Sequence, residues 1–188
     1  MEQVAGRSAD AESGQRAPRD VRVRRARTLD VRAIRCLVDE YSGVGPRLLK
    51  KTTVTLYEDV QEFWVAELDG VVVGCGALHV LWEDLAEIRT VAVDPGVRGM
   101  GVGHRIVAAL IDAARELGVR RVFCLTFEVA FFGRHGFAPI HGTPVSPEVY
   151  AELLASYDEG VAEFLDLEHV KPNTLGNTRM LLHLHPRS

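Results

Sequence analysis

Cysteine is scarce: three in 188 residues, at Cys36, Cys75 and Cys124, with no C-x-x-C pair and no neighbouring histidine cluster. That excludes a disulfide framework and the usual zinc spacings, and it fits a reduced, cytoplasmic compartment. No apolar run approaches the about 20 residues that would span a bilayer, and residues 1–18 lack the apolar centre of a secretory signal. Positive charge is not in surplus: Lys and Arg number 22 against 26 Asp and Glu, a formal net charge of −4. Nine arginines fall in residues 1–35 against five acids there, so the remainder is acidic. No aromatic side chains are interleaved among those arginines to stack bases, which argues against nucleic acid as a partner. The cluster reads as a solvated first strand behind a polar tail.

What is present is an ordinary globular balance, long enough for one self-supporting domain. Residues 1–19 are rich in Gly, Ser, Ala and charge and are expected to be disordered, leaving residues 20–188 as a single domain. Val21-Arg-Val-Arg alternates as a strand. Thr28 is expected to cap a helix from Leu29 to Tyr41, which Ser42-Gly-Val-Gly-Pro46 stops. Leu48 to Glu58 reads as a loop and a short helix. Phe63–Leu68 and Val71–Val80 are strands joined by Asp69-Gly70, a strong hairpin signal. Ala86–Val93 is a further strand. After a loop over 95–103, a helix runs to Leu117 with Ile106, Val107, Leu110, Ile111 and Ala114 on its apolar stripe. Val122–Thr126 is a strand, Glu128–His135 a short helix, Pro147–Tyr157 another helix, and Arg179–His185 the last strand. The order predicts an α/β fold: a mixed sheet of about six or seven strands, mostly antiparallel, with helices on both faces.

One segment carries chemistry on its face. Val91-Ala-Val-Asp-Pro-Gly-Val-Arg-Gly-Met-Gly-Val-Gly103 delivers a strand through a glycine loop to a helix start. Backbone N–H groups that a helix leaves unpaired point outward there, and the helix dipole favours an anion. Gly99, Gly101 and Gly103 let the backbone approach phosphate oxygens. A Walker loop would end in Lys-Ser or Lys-Thr, where His104-Arg105 stands, and the G-x-G-x-x-G spacing of dinucleotide sites fails from either Gly99 or Gly101.

Arg98-x-x-Gly101-x-Gly103 resembles the acetyl-CoA signature Q/R-x-x-G-x-G/A of the GNAT N-acetyltransferase superfamily. Ala86-Glu-Ile-Arg-Thr-Val-Ala-Val93 resembles that family's central strand, and Phe131-Phe-Gly-Arg-His-Gly-Phe137 its F-Y-x-x-x-G-F segment. The resemblance implies an acetyl-CoA cleft where two parallel strands splay apart. Backbone N–H groups of Arg98, Gly99, Gly101, Val102, Gly103 and His104 would hold the pyrophosphate, and main-chain groups of Val91 and Val93 would pair with the pantetheine arm. Glu87 matches the glutamate that serves as base in related acetyltransferases. Strand alternation is expected to put Glu87, Arg89, Val91 and Val93 on one face; His79, Glu83 and Asp84 are reserve bases. The family's usual acid is the Tyr of F-Y-x-x-x-G-F, and this chain has Phe132 there. Tyr41, Tyr57, Tyr150 and Tyr157 are the other hydroxyls, which the sequence does not rank. Cys124 reads as core, and His183-x-His185 lacks a third ligand, so no metal is expected.

The segments Gly74–Val80, Trp82–Val93 and Ser156–Asp166, with Leu48-Leu-Lys-Lys-Thr, resemble the N-acetylglutamate synthases of arginine biosynthesis, the short actinobacterial form above all. That resemblance implies transfer of acetyl from acetyl-CoA to the α-amine of L-glutamate, the first step of arginine biosynthesis. It leaves open another acceptor such as glutamine, or a catalytically lapsed sensor of acyl-CoA or amino acid. An acidic acceptor needs cations, ideally a bidentate Arg; Arg89 and Lys51 are the expected pair. The expected partners are small molecules, with no membrane, and a homodimer is compatible with this reading.

Overall fold

The computed structural model describes residues 20–42, 51–170 and 176–185. The expected N-terminal tail, the helix stop over 43–46 and Lys50 lie outside the described residues. Seven strands form one sheet: β1 Val21–Arg25, β2 Phe63–Leu68, β3 Val71–Trp82, β4 Leu85–Val93, β5 Arg121–Thr126, β6 Ala138–Pro139 and β7 Thr178–His183, in the order β1-β2-β3-β4-β5-β7-β6. Among the described residues six helices accompany them: α1 Val31–Ser42, α2 Thr53–Glu58, α3 Val102–Glu116, α4 Val129–Gly133, α5 Pro147–Leu153 and α6 Glu159–Phe164. Among the described residues only β4 and β5 pair in parallel; every other pair is antiparallel.

The hairpin between β2 and β3 turns on Asp69 (φ 52°) and Gly70 (φ 79°), two left-handed residues in succession, which matches the right-handed twist of the strands. Ile106, Val107 and Leu110 of α3 are fully buried against one sheet face with Ala86, Ile88 and Val122. On the other face α1 lays Val31, Ile34 and Val38 over Val65, Cys75 and Ala77. Farther along that face, Leu153 of α5 and Val161 and Phe164 of α6 cover Leu85, Phe123 and Leu181.

Two expectations need correction. Thr28 does not cap the first helix. Thr28–Asp30 form a 3-10 turn, and buried Asp30 instead accepts the Arg27 N–H (2.7 Å) and both amino groups of Arg24 (2.7 and 3.0 Å). The expected helix over 147–157 is two: α5 ends at Leu153, and α6 starts afresh behind Asp158, whose carboxylate accepts the Val161 N–H at 3.0 Å. That second helix turns out to shape the site.

Candidate active site

The parallel pairing of β4 and β5 stops early. It joins Leu85 with Arg121, Ala86 with Val122 and Glu87 with Phe123, and goes no further. Beyond Glu87 the strands part, β5 continues along β7, and a cavity of about 150 Å3 opens between them. Tyr41, Arg89, Thr90, Val91, Thr126 and Phe132 are among its walls.

β4 also carries an irregularity that the sequence did not announce. Cys75 pairs with Ala92 and Ala77 with Arg89, so Thr90 and Val91 together oppose Gly76. Thr90 takes φ 57°, uncommon for a β-branched residue. This β-bulge inserts one residue and inverts the alternation after it. Glu87 and Arg89 therefore face one way, and Val91 and Val93 the other, packed on the α3 side of the sheet. The expectation that all four share a face is wrong for that reason. The bulge falls opposite Gly76, where a Cβ would meet Ile106 at 2.8 Å and Leu110 at 3.0 Å.

Past the bulge, the edge of β4 is open. Asp94 N–H donates to Val73 O toward β3 at 2.9 Å, so the main-chain groups of Val93 point the opposite way, into the cleft. The Val93 carbonyl accepts there from the Tyr41 hydroxyl at 2.6 Å. The strand then enters a loop pinned by Asp94, whose side chain accepts the Gly96 N–H at 2.7 Å. Gly99 and Gly101 are left-handed (φ 85° and 73°), and the first helical bond of α3 closes from Arg105 N–H to Gly101 O. The N–H groups ahead of it, on Val102, Gly103 and His104, are those a helix start leaves without internal partners. The Arg98 N–H is already engaged by Pro95 O at 3.2 Å. His104 hydrogen-bonds His135 (Nδ1 to Nε2, 2.9 Å) and lies 4.7 Å from the Phe131 ring. A Cβ on Gly103 would touch that same ring at 3.3 Å.

On the opposite face of β4 the charged groups gather. Glu87 is 2% exposed and its Oε2 has no hydrogen-bond partner among the described residues. Burial pushes its carboxyl up to about 8; Glu163 and Asp158 add to the rise, and Arg89 and Lys51 oppose it. Arg89 is gripped by protein carboxylates: Asp158 (2.7 and 3.2 Å), Glu62 (3.1 Å) and, more distantly, Asp59 (3.9 Å). Burial alone would push the Asp158 carboxyl up, but the Arg89 hydrogen bonds and charge outweigh it and hold it at about 2. Lys51 donates to the same Asp59 at 2.8 Å. The two expected cations thus stand on one acidic cluster beside Glu87.

Among the reserve bases, His79 is paired with Glu62 (2.7 Å), and Asp84 holds Arg121 at the start of β5 (3.0 and 3.1 Å), away from the cleft. Burial pushes the Cys75 thiol up to about 12 and Cys124 well above an ordinary thiol, which disfavours the thiolate at both. Among the described residues, no group of three or more His, Cys, Asp or Glu is placed to hold a metal, and no helix there is long and apolar enough to cross a membrane.

Several residues of this face escaped the sequence reading: the carboxylates Asp59, Glu62 and Asp158 that hold Arg89, and two more. Glu163, on α6, has its carboxyl pushed up to about 7, by burial first and by Glu159 and Asp158 after it. Arg179, on β7, lies over the Phe123 ring at 5.0 Å and donates to the backbone carbonyls of Gly142, Glu163 and Phe164. Burial lowers its affinity for its proton, while Asp166 and Glu87 raise it. Its one sequence signal was an arginine at the head of an apolar strand, which reads equally as a solvated end.

The acetyltransferase (GNAT) family profile matches residues 32–137. The amino-acid acetyltransferase of Mycobacterium tuberculosis is 66% identical over 172 residues, 89% of this chain and 98% of its own length. A crystal structure of Rv2747 from that organism, in complex with CoA and NLQ, superposes with a TM-score of 0.84 at 66% identity, covering 87% of this chain and 99% of the other. The N-acetylglutamate synthase of Neisseria gonorrhoeae, complexed with coenzyme A and N-acetyl-glutamate, superposes with a TM-score of 0.67 at 26% identity, over 88% of this chain and 35% of its own. The chain belongs to the acetyltransferase (GNAT) family and, within it, to the amino-acid acetyltransferases.

Proposed function

We propose that the protein transfers the acetyl group of acetyl-CoA to the α-amine of L-glutamate, giving N-acetyl-L-glutamate and CoA, the entry step of arginine biosynthesis. Acetyl-CoA enters the cleft between β4 and β5. The N–H groups of Gly99, Gly101, Val102, Gly103 and His104 receive its pyrophosphate, with Arg98 beside them. The main-chain edge of Val91 and Val93 receives the pantetheine arm as an added strand, which displaces the Tyr41 hydroxyl from Val93 O. Glu87 takes the proton of the incoming ammonium, directly or through water, which frees the nitrogen lone pair to attack the thioester carbon.

The observation that carries this reading is the buried face around Glu87. It combines a carboxyl raised to about 8 with Arg89 and Lys51, which oppose that rise, and with Arg179, whose affinity for its proton burial lowers against the pull of Asp166 and Glu87. A carboxyl poised there exchanges protons near neutral pH, and cations beside it favour an acceptor that brings carboxylates. The relatives whose names specify amino-acid acetylation or N-acetylglutamate synthesis support the same acceptor class. One observation favours a second acceptor: Arg89 is already spent on Asp158 and Glu62. Fewer free cations suit glutamine, which offers one carboxylate.

The test is direct. The protein is incubated with acetyl-CoA and each amino acid in turn, and free thiol and product mass are measured. Thiol release with L-glutamate at the highest kcat/KM supports the proposal. Higher kcat/KM with L-glutamine replaces the acceptor. Tight acetyl-CoA binding with no release for any amino acid overturns the enzymatic reading in favour of a sensor.

A further inference from the structure

Aminolysis of a thioester leaves a thiolate, and the group that protonates it must be a weak acid of matching strength within the cleft. The position where the family resemblance places a tyrosine carries Phe132 here. Phe132 is buried, packed edge-on against Phe131 and Phe137, and has no proton to give. The structure ranks the hydroxyls that the sequence left equal. Of the four tyrosines, Tyr157 is fully exposed, Tyr57 is 45% exposed on α2, and Tyr150 donates to Leu165 O (3.3 Å) at the α5–α6 junction. Tyr41 alone lines the cleft, on the wall contributed by α1, while Phe132 forms another wall of the same cavity. The other polar walls are poorly matched as classes: an aliphatic hydroxyl and a guanidinium are much weaker acids than a thiol, and a carboxyl is a much stronger one. A phenol lies closest to a thiol in acid strength.

We infer that Tyr41 is the proton donor to the departing CoA thiolate. The step rests on the acetyl-transfer reading above and balances as follows. Glu87 takes one proton of the ammonium, and the amine nitrogen then forms its bond to the acetyl carbon. The tetrahedral intermediate collapses, the C–S bond breaks, and sulfur keeps the electron pair. The Tyr41 hydroxyl proton passes to sulfur, and the phenolate takes up, through water, the second proton that the acylated nitrogen gives up. The present partner of that hydroxyl is informative. It donates to Val93 O at 2.6 Å, on the edge where the pantetheine arm would pair. An amide N–H of the arm competes for this oxygen, so donor binding releases the O–H into the cleft when it is needed.

The test is Tyr41→Phe, which removes only the hydroxyl. Turnover is measured as thiol release with whichever amino acid the wild type acetylates fastest, so an error in the acceptor does not affect the result. Acetyl-CoA affinity is measured by calorimetry. The expected result is a fall in kcat of about 10–100-fold with acetyl-CoA affinity within about threefold of wild type. Adding Phe132→Tyr, which brings a hydroxyl from the facing wall, is expected to recover at least about fivefold of kcat. A kcat within threefold of wild type overturns the role. So does an equal loss of affinity and kcat, which would mark Tyr41 as a packing residue. So does a double variant that binds acetyl-CoA yet turns over no faster than the single one. If the double variant does not bind, the kcat-against-affinity split of Tyr41→Phe decides alone. Wild type that releases no thiol with any amino acid overturns the acetyl-transfer reading, and this role with it.

Discussion

Glu87 and Arg89 project from the same face of β4, two residues apart, and each keeps one buried atom without a hydrogen-bond partner among the described residues: Oε2 of the first and Nε of the second. A buried polar atom left unpaired costs about 1–3 kcal/mol, and two on one strand face mark a surface built for something other than stability. The proposed acceptor, with its ammonium and carboxylate, would satisfy both.

Glu87→Gln keeps the shape and removes the titration. Turnover is expected to fall by ~10²–10⁴. Wild-type kcat/KM should rise with pH through about 8, because burial holds the carboxyl protonated below that value and a base must be ionised. The variant should lose this limb. Stability runs the other way. The folded carboxyl binds its proton more tightly than the unfolded one, whose value is near 4.5. The folded state therefore loses stability as pH rises from about 4.5 to about 8. Melting temperatures across that window should decline less in Glu87→Gln than in wild type. A turnover change under about threefold would remove Glu87 from the mechanism.

The fold was legible because its signals are local. The Asp69-Gly70 turn, the glycine loop and the apolar stripe of α3 each state their geometry within a few residues, and the structure repeats them almost to the residue. The face assignment on β4 was not legible, because it depends on an inserted residue. Thr90 looks like any strand residue, and only the register against Gly76 reveals that alternation breaks there. The charged cluster failed to show for a related reason: Asp59 and Glu62, Asp158 and Glu163, and Arg179 come from three separate regions of the chain. Their convergence is tertiary, so Arg89 looked like a free clamp when Asp158 already holds it.

Asp158 both caps α6 and holds Arg89, and two substitutions separate those roles. Asp158→Asn keeps a capping oxygen and loses the charge; Asp158→Ala loses both. The alanine variant should be less stable than the asparagine one by about 1 kcal/mol, the worth of an N-cap. The wild-type carboxyl is held at about 2 against an ordinary 3.8. Its contribution is fully present above about 3.8 and disappears as pH falls through about 2. Acid denaturation curves should show this loss in wild type and not in Asp158→Asn. Identical acid limbs would mean that the ion pair adds nothing measurable.

Gly160 lies where α6 meets Arg89. A Cβ there would clash with Arg89 Nη1 and come within 2.9 Å of Asp158 Oδ1. Arg89 is buried and gripped on two sides, so it has little room to retreat. Gly160→Ala should lower stability by about 1–3 kcal/mol and raise KM for the acceptor severalfold while leaving acetyl-CoA affinity within about twofold. Equal damage to both substrates would show that α6 supports the whole cleft instead of its acceptor side.

Gly101 tests the donor side by the converse pattern. It sits at φ 73° immediately before α3, with nothing within 4 Å of an added Cβ, so Gly101→Ala meets no obstacle except backbone strain. A left-handed non-glycine residue costs about 1–3 kcal/mol, and relief of that strain would turn the N–H groups of Val102 and Gly103 away from a pyrophosphate. Acetyl-CoA affinity should therefore fall about 5–50-fold, with the strain energy as its source, while kcat at saturating acetyl-CoA stays near that of wild type. Calorimetry with CoA and with dephosphorylated pantetheine discriminates further. The variant should lose affinity for CoA and keep its weaker affinity for pantetheine, since only CoA carries the pyrophosphate that this loop is proposed to hold. An equal loss for both ligands would place the damage in the arm's strand edge at Val91 and Val93 and remove the loop from the phosphate-binding role.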